Sequence, residues 1–270
     1  MKWIDIGVNL TNKRFNRDRD SLIHSAVDAG VTQMVVTGTN PAESQAALTL
    51  TKQYPGILFA TAGCHPHDAK SLNESELCLL ESMARENAVV AIGECGLDFN
   101  RNFSTPQQQI SAFKRQLELA AKLKKPVFLH ERDAFDSQYQ ILKDYLPSLV
   151  GAVSHCFTGS REQLLAYLEL GLHIGITGWI CDERRGRPLL EMVVQIPDER
   201  LLLETDAPYL TPRTLETKPK GARNEPKFLP HIGQVVADAR GQSLEHLSTI
   251  SYRNSRRFFR LDRVEEEAQS

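Results

Sequence analysis

The chain has 270 residues, 41% hydrophobic and 24% charged, values that exclude fibrous and wholly disordered classes. A formal net charge of -2 argues against a protein held on nucleic acid by a broad basic surface, and leaves room for a local basic groove. No apolar run reaches the roughly 18 residues of a membrane span, and the 5 cysteines are odd in number, scattered and without a CxxC pair, which excludes a disulfide scaffold and a zinc finger.

Strand-like and helical stretches alternate along the chain. Residues 2–8 are the first strand candidate; no signal-peptide pattern precedes them, so a cytoplasmic location is expected. A helix over 18–29 closes at Gly30, and a second strand covers 32–37. Asn40 is an N-cap candidate for a helix over 41–53, with Pro41 and Glu43 in its first turn. A strand over 57–63, a helix over 74–86 and a strand over 89–93 follow. Residues 105–124 form a long helix with Pro106 in its first turn, then come a strand over 126–130 and a helix over 134–145. The last units are a strand over 151–155, a helix over 161–170 closed by Gly171, a strand over 172–177, a short helix over 188–195 and a strand over 201–204. Residues 211–230 are rich in Pro, Lys and Arg and read as a loop. Two more helices are expected over 230–240 and 243–260, with a charged, frayed end over 262–270.

Eight strands alternating with helices predict a parallel sheet. The runs AVVAIGE, KPVFLHE and GAVSHCF are apolar nearly throughout, as strands buried on both faces are. In this length the pattern predicts a closed (β/α)8 TIM barrel forming one α/β domain over 1–270, with helices over about 227–260 closing it. No GxGxxG follows the first strand and no GxxxxGK[ST] occurs, so Rossmann and P-loop nucleotide sites lack their signatures.

The functional signal is positional. His65 and His67 follow strand three, Glu94 and Asp98 strand four, His130 strand five, His155 strand six and Asp206 strand eight. Barrel active sites lie at this end of the strands. Glu94, His130 and His155 offer one carboxylate and two imidazoles, a catalytic set with open positions for a divalent ion. Asp206 is a fourth ligand or the group that orients an attacking water, because water needs help to become a nucleophile. Singly, each residue has a plainer reading as a hydrogen-bonded strand end or turn. His24, His173, His231 and His246 fall outside the constellation and read as surface or packing histidines.

These residues resemble a known family. The strings IDIGVNLT from Ile4, GCHPH from Gly63, AIGECGLD from Ala91, HCFTG from His155, ETDAPY from Glu204 and RNEP from Arg223 are similar to the TatD family of metal-dependent nucleases over nearly the whole chain. The resemblance implies an amidohydrolase-like TIM barrel and a magnesium-dependent 3′–5′ exonuclease on single-stranded DNA or RNA, with Mn2+ or Zn2+ as other candidate ions. It also implies a role in repair of oxidative DNA damage. It maps metal ligands onto Glu94, His130 and His155, and catalytic roles onto Asp206 and His65. Most relatives carry His-x-His after strand one, binding a second metal; here those positions are Gly7 and Asn9. Asn9 and Asp206 remain candidates for a second ion or for substrate, an amide oxygen suiting Mg2+ better than Zn2+.

The expected chemistry is metal-assisted phosphodiester hydrolysis. Asp206 takes or orients the proton of water, and His65 contacts the phosphate or protonates the leaving oxygen. Arg132, Arg184, Arg185 and Arg223 are candidate phosphate-backbone contacts, with Arg213, Lys218 and Lys220 on the same loops. Phe99, Phe103, Trp179 and Tyr209 follow strand ends and either stack on bases or pack in loops. The chain is expected to be a monomer with no membrane partner. Two other readings stay open: ester or amide hydrolysis on the same barrel, such as a D-aminoacyl-tRNA deacylase, and a binding or quality-control protein with a vestigial site.

Overall fold

The computed structural model describes residues 1–261; the expected helix end over 262–270 lies outside them. Eight strands follow one another in chain order, each parallel to the next. They are β1 (Trp3–Val8), β2 (Val31–Val36), β3 (Leu58–Ala62), β4 (Val89–Asp98), β5 (Val127–Arg132), β6 (Ala152–Ser154), β7 (His173–Ile176) and β8 (Leu201–Leu203). The helices between and after them are α1 (Arg19–Asp28), α2 (Pro41–Gln53), α3 (Glu74–Ala84), α4 (Pro106–Leu123), α5 (Phe135–Tyr145), α6 (Arg161–Glu169), α7 (Arg187–Met192), α8 (Leu229–Arg240) and α9 (Leu244–Phe259).

The sheet curls until its first and last strands meet. Asp206 N–H donates to the Gly7 carbonyl and Asn9 N–H to the Ala207 carbonyl, both at 2.8 Å. Beside them the Asp5 carboxylate accepts Thr205 N–H at 2.9 Å and meets Thr205 Oγ1 at 2.5 Å. The seam of this (β/α)8 TIM barrel is thus closed partly by a side chain. Every residue of β1, β3, β4, β6 and β8 is buried, which explains the apolar runs.

Capping fixes where helices begin. The Asn40 side chain accepts Glu43 N–H at the start of α2, as the sequence predicts, and Thr105 with Gln108, like Ser160 with Gln163, forms a capping box. Phe258, Phe259 and Leu261 join the buried cluster of Ile4, Val35, Phe59, Val90 and Leu202 inside the barrel. The end of α9 therefore covers the barrel floor, below the strand starts.

Two predicted boundaries need correction. Strand four does not stop at Gly93 but runs to Asp98, and strand five continues past His130 to Arg132. The pairing of β4 with β5 shifts between Gly93 and Cys95, leaving Glu94 without a partner in the register. Such a bulge re-aims its side chain. Gly96, at φ +140°, tolerates the close approach: a Cβ there would collide with the His130 carbonyl. The helix expected over 188–195 is α7 followed by a 3-10 turn at Val193–Gln195.

Candidate active site

Three imidazoles converge on one carboxylate oxygen at the strand C-termini. Glu94 Oε1 lies 3.0 Å from His130 Nδ1, 3.0 Å from His155 Nε2 and 3.4 Å from His65 Nε2. The bulge on β4 supplies Glu94, and β5 supplies His130. Two residues lie just past strand ends, His155 after β6 and His65 after β3. His155 turns its other nitrogen to Glu204, Nδ1 to Oε2 at 3.2 Å, and Glu204 Oε1 accepts Cys156 N–H. His130 turns its Nε2 to Asp98 Oδ2 at 3.2 Å. His155 and His130 thus each have an outer carboxylate of the kind that orients metal-binding imidazoles. Asp206 sits partly buried at the same mouth, its Oδ1 accepting the Asn9 amide at 2.9 Å.

Charge in this cluster is unbalanced. Burial alone would raise the Glu94 carboxyl, yet the imidazoles of His155, His65 and His130 hold it well below its ordinary value. Burial pulls the His155 imidazole down, but the Glu94 and Glu204 carboxylates outweigh it and raise it well above the usual range. Burial pushes Asp206 up to about 7, with the Glu94 and Glu204 charges adding to the effect against His155. Carboxylates crowded this way favour a positive charge between them. Glu94 with the imidazoles of His65 and His130 forms a group able to hold a metal ion, and His155 lies within hydrogen-bond reach of the same oxygen. The donor set of carboxylate oxygen and imidazole nitrogen fits a divalent cation.

His65 differs from its neighbours. Its Nδ1 accepts the backbone N–H of His67 at 3.1 Å, so its neutral ring carries the proton on Nε2, facing Glu94. Burial lowers its tendency to ionise, despite the Glu94 charge.

The mouth opens into a cavity of about 1590 Å³ that reaches Lys13, Arg101, Arg132, Trp179, Arg185 and Tyr209. Of the predicted phosphate contacts, Arg132 and Arg185 line it. Arg185 is already paired with Asp182 at 2.9 Å and lies 4.4 Å from the Trp179 ring centre. Arg184 is exposed outside the cavity lining, within 4.0 Å of Glu183. Arg223 is drawn away, its guanidinium on Asp18 at 2.6 Å and Glu225 at 3.0 Å. Sequence reasoning gave no role to Asp98, His67, Glu204, Lys13 or Arg101. The first three lay inside strings already singled out; only their contacts separate them from turn residues. Phe103 is exposed, its ring 4.8 Å from that of His67.

A family model described as TatD related DNase matches residues 4–260. The chain belongs to the TatD family of DNases. It is 56% identical over 257 residues to a 3′-5′ ssDNA/RNA exonuclease TatD of Erwinia billingiae, covering 95% of this chain and 98% of that one. It is 55% identical to the protein of the same name from Edwardsiella piscicida, covering 96% and 99%. The crystal structure of YjjV, a TatD homologue from Escherichia coli K12, superposes with a TM-score of 0.86 at 29% identity, covering 96% and 98%. In this TatD-family chain Gly7 leaves room that Glu204 fills: a Cβ at position 7 would collide with Glu204 Oε2. Among the described residues, no helix is long and apolar enough to cross a membrane.

Proposed function

We propose that this chain is a divalent-cation-dependent hydrolase of phosphodiester bonds, a 3′–5′ exonuclease on single-stranded DNA and RNA. One observation carries the reading: three imidazoles meet the Glu94 carboxylate at the mouth of a TatD-family barrel. The substrate and polarity follow the names of relatives 55–56% identical over nearly the whole chain. Glu94, His130 and His155 would hold the cation, and Asp206 with Asn9 borders it. We assign Mg2+ on the oxygen donors of Glu94 and Asp206, with Zn2+ and Mn2+ as the ions to compare because two ligands are imidazoles. Bound there, the cation supplies Lewis-acid charge for the phosphoryl oxygens and acidifies water.

The chain's own groups do the rest. Asp206 takes the proton of the attacking water while the Asn9 amide holds its Oδ1. His65 donates its Nε2–H to a phosphoryl oxygen or to the leaving 3′ oxygen. Arg132, with Lys13 and Arg101, meets the backbone of the incoming strand. We further assign a single domain acting as a monomer, a role in repair of oxidised DNA, and a reducing cytoplasmic setting that suits five free thiols.

The test is nuclease assay on end-labelled single strands with Mg2+, Mn2+ and Zn2+ in turn. Glu94→Gln and His155→Ala are expected to lower turnover at least ~1000-fold without unfolding the barrel, in line with the loss of a principal charge stabiliser. Full activity after exhaustive chelation would overturn the cation dependence. Faster turnover of a D-aminoacyl-tRNA ester than of DNA would overturn the substrate assignment.

A further inference from the structure

The loop after β7 folds back on itself between Trp179 and Gly186. Asp182 N–H donates to the Trp179 carbonyl at 3.0 Å, and Gly186 N–H to the Asp182 carbonyl at 2.7 Å. The turn requires glycine at 186, because a Cβ there would collide with the Trp179 carbonyl. The buried Asp182 side chain ties the turn together. Its Oδ1 accepts the backbone N–H groups of Arg184 at 3.0 Å and Arg185 at 3.1 Å. Its Oδ2 accepts Arg185 Nε–H at 3.0 Å and faces Nη2 at 2.9 Å.

This turn sets the Arg185 guanidinium over the Trp179 ring, 4.4 Å from its centre. Trp179 is partly buried and packs against the main apolar cluster of the barrel. Both residues line the mouth cavity, and the arginine side chain is 62% exposed. The arginine, rather than the indole, is therefore the outer layer of the stack.

That arrangement suits one contact better than another. Arginine grips a phosphate through the edges of its guanidinium, using charge and paired N–H groups. Here one edge is taken by Asp182, whose carboxylate also offsets the charge, while the face stays open. A guanidinium face is planar and weakly hydrated, and it stacks on aromatic rings. Unstacked bases of single strands lie on such planes. The side chain is already fixed from below and from the side, so little rotamer freedom is lost when a base arrives.

We propose that Arg185, stacked on Trp179 and pinned by Asp182, is a platform for one nucleobase of a single strand crossing the mouth. This rests on the nucleic-acid substrate proposed above, and it assigns to this arginine a base rather than a phosphate. A stacking contact accepts every base, since each has a π-face.

Arg185→Lys separates the two contacts, because it keeps the charge and loses the plane. Labelled single strands, intact or with an abasic unit at each position in turn, are titrated by fluorescence anisotropy. The parent protein carries Glu94→Gln to prevent digestion. Adding Arg185→Lys is expected to weaken binding of the intact strand about 5–20-fold, in the lower part of the range for base stacking, with an unchanged salt slope. One abasic position is expected to weaken binding to the parent by a similar factor and to have no further effect on Arg185→Lys, because base and arginine form a single contact. Trp179→Phe keeps a ring beneath the guanidinium and is expected to retain most of the affinity. Trp179→Leu is expected to lose it and to become insensitive to the same abasic position.

Arg185→Lys binding every strand as tightly as its parent would overturn the proposal. So would a loss that is equal whichever base is missing, since a loosened loop produces that pattern. If Trp179→Leu fails to fold, Arg185→Lys with the abasic series still decides. A parent that binds no single strand would overturn the substrate reading and the platform together; binding without coupling to one base would overturn the platform alone.

Discussion

Gly7 and Glu204 share one small volume, and that sharing explains a residue that sequence alone presents only as a missing ligand. The Glu204 carboxylate lies where a side chain at position 7 would begin, and it also abuts Gly175. From there it holds His155 Nδ1 and Cys156 N–H. Gly7→Ala would push Glu204 off this seat. The expected loss is about 1–3 kcal/mol of stability, the usual cost of overpacking a closed core. A fall in Mn2+ affinity of roughly 10-fold or more is expected with it, because His155 loses its outer carboxylate. Urea unfolding and titration calorimetry on one preparation would check both; unchanged affinity despite lost stability would mean His155 holds its orientation without Glu204.

Between elements, the join of β1 to β8 depends on a buried acid. Burial pushes the Asp5 carboxyl up to about 8, the nearby Glu204 charge adding to it against hydrogen bonds from Thr205 and Gly7. In the unfolded chain the same group titrates near its ordinary 3.8. Between those values the folded state holds the extra proton, so this contribution is full below about 4 and is lost as pH rises toward about 8. Asp5→Asn cannot ionise and keeps an acceptor for Thr205 N–H. It is expected to flatten the fall in melting temperature between pH 5 and 8.5, whereas Asp5→Ala should cost about 1–3 kcal/mol at any pH for the stranded donor. An unflattened slope in Asp5→Asn would show that Asp5 is ionised in the fold. The alternation of strands with helices was legible because each strand is buried on both faces and each helix carries its cap, as at Asn40 and Thr105. The extension of β4 was not. Gly93-Glu94-Cys95-Gly96 reads as a turn, and the strand continues only because β5 pairs with it and buried Gln109 and Gln138 accept the N–H groups of Asp98 and Leu97. Glutamines on a helix carry no sequence mark of that duty. The mouth residues were legible as types at strand ends. Their outer carboxylates were not, since Asp98 and Glu204 differ from turn residues only by what they touch.

Over the whole molecule, charge and site are distributed separately. The chain totals -2, and several loop cations first read as a nucleic-acid track are bound to acids of the same or other loops. Arg223 is held by Asp18 and Glu225, and Arg213 by Glu183. Among the described residues, Lys13, Arg101 and Arg132 line the cavity with no ion pair of their own. Lys13 follows β1, Arg101 follows β4 and Arg132 ends β5, so a strand crossing the mouth would meet positive charge from three strand ends. A broad basic surface would give a steep salt dependence; a few cations at the mouth give a shallow one. With roughly three phosphates neutralised at about 0.7 per contact for single strands, log affinity should fall with log salt at a slope near -2. Arg101→Ala is expected to reduce that slope by about 0.7, and Arg223→Ala to leave it unchanged while loosening the loop it ties to Asp18. Fluorescence anisotropy of a labelled single strand over a salt series, using the Glu94→Gln variant to prevent digestion, measures all three. An Arg223→Ala slope that drops as far as that of Arg101→Ala would move the nucleic-acid path to the loop after β8.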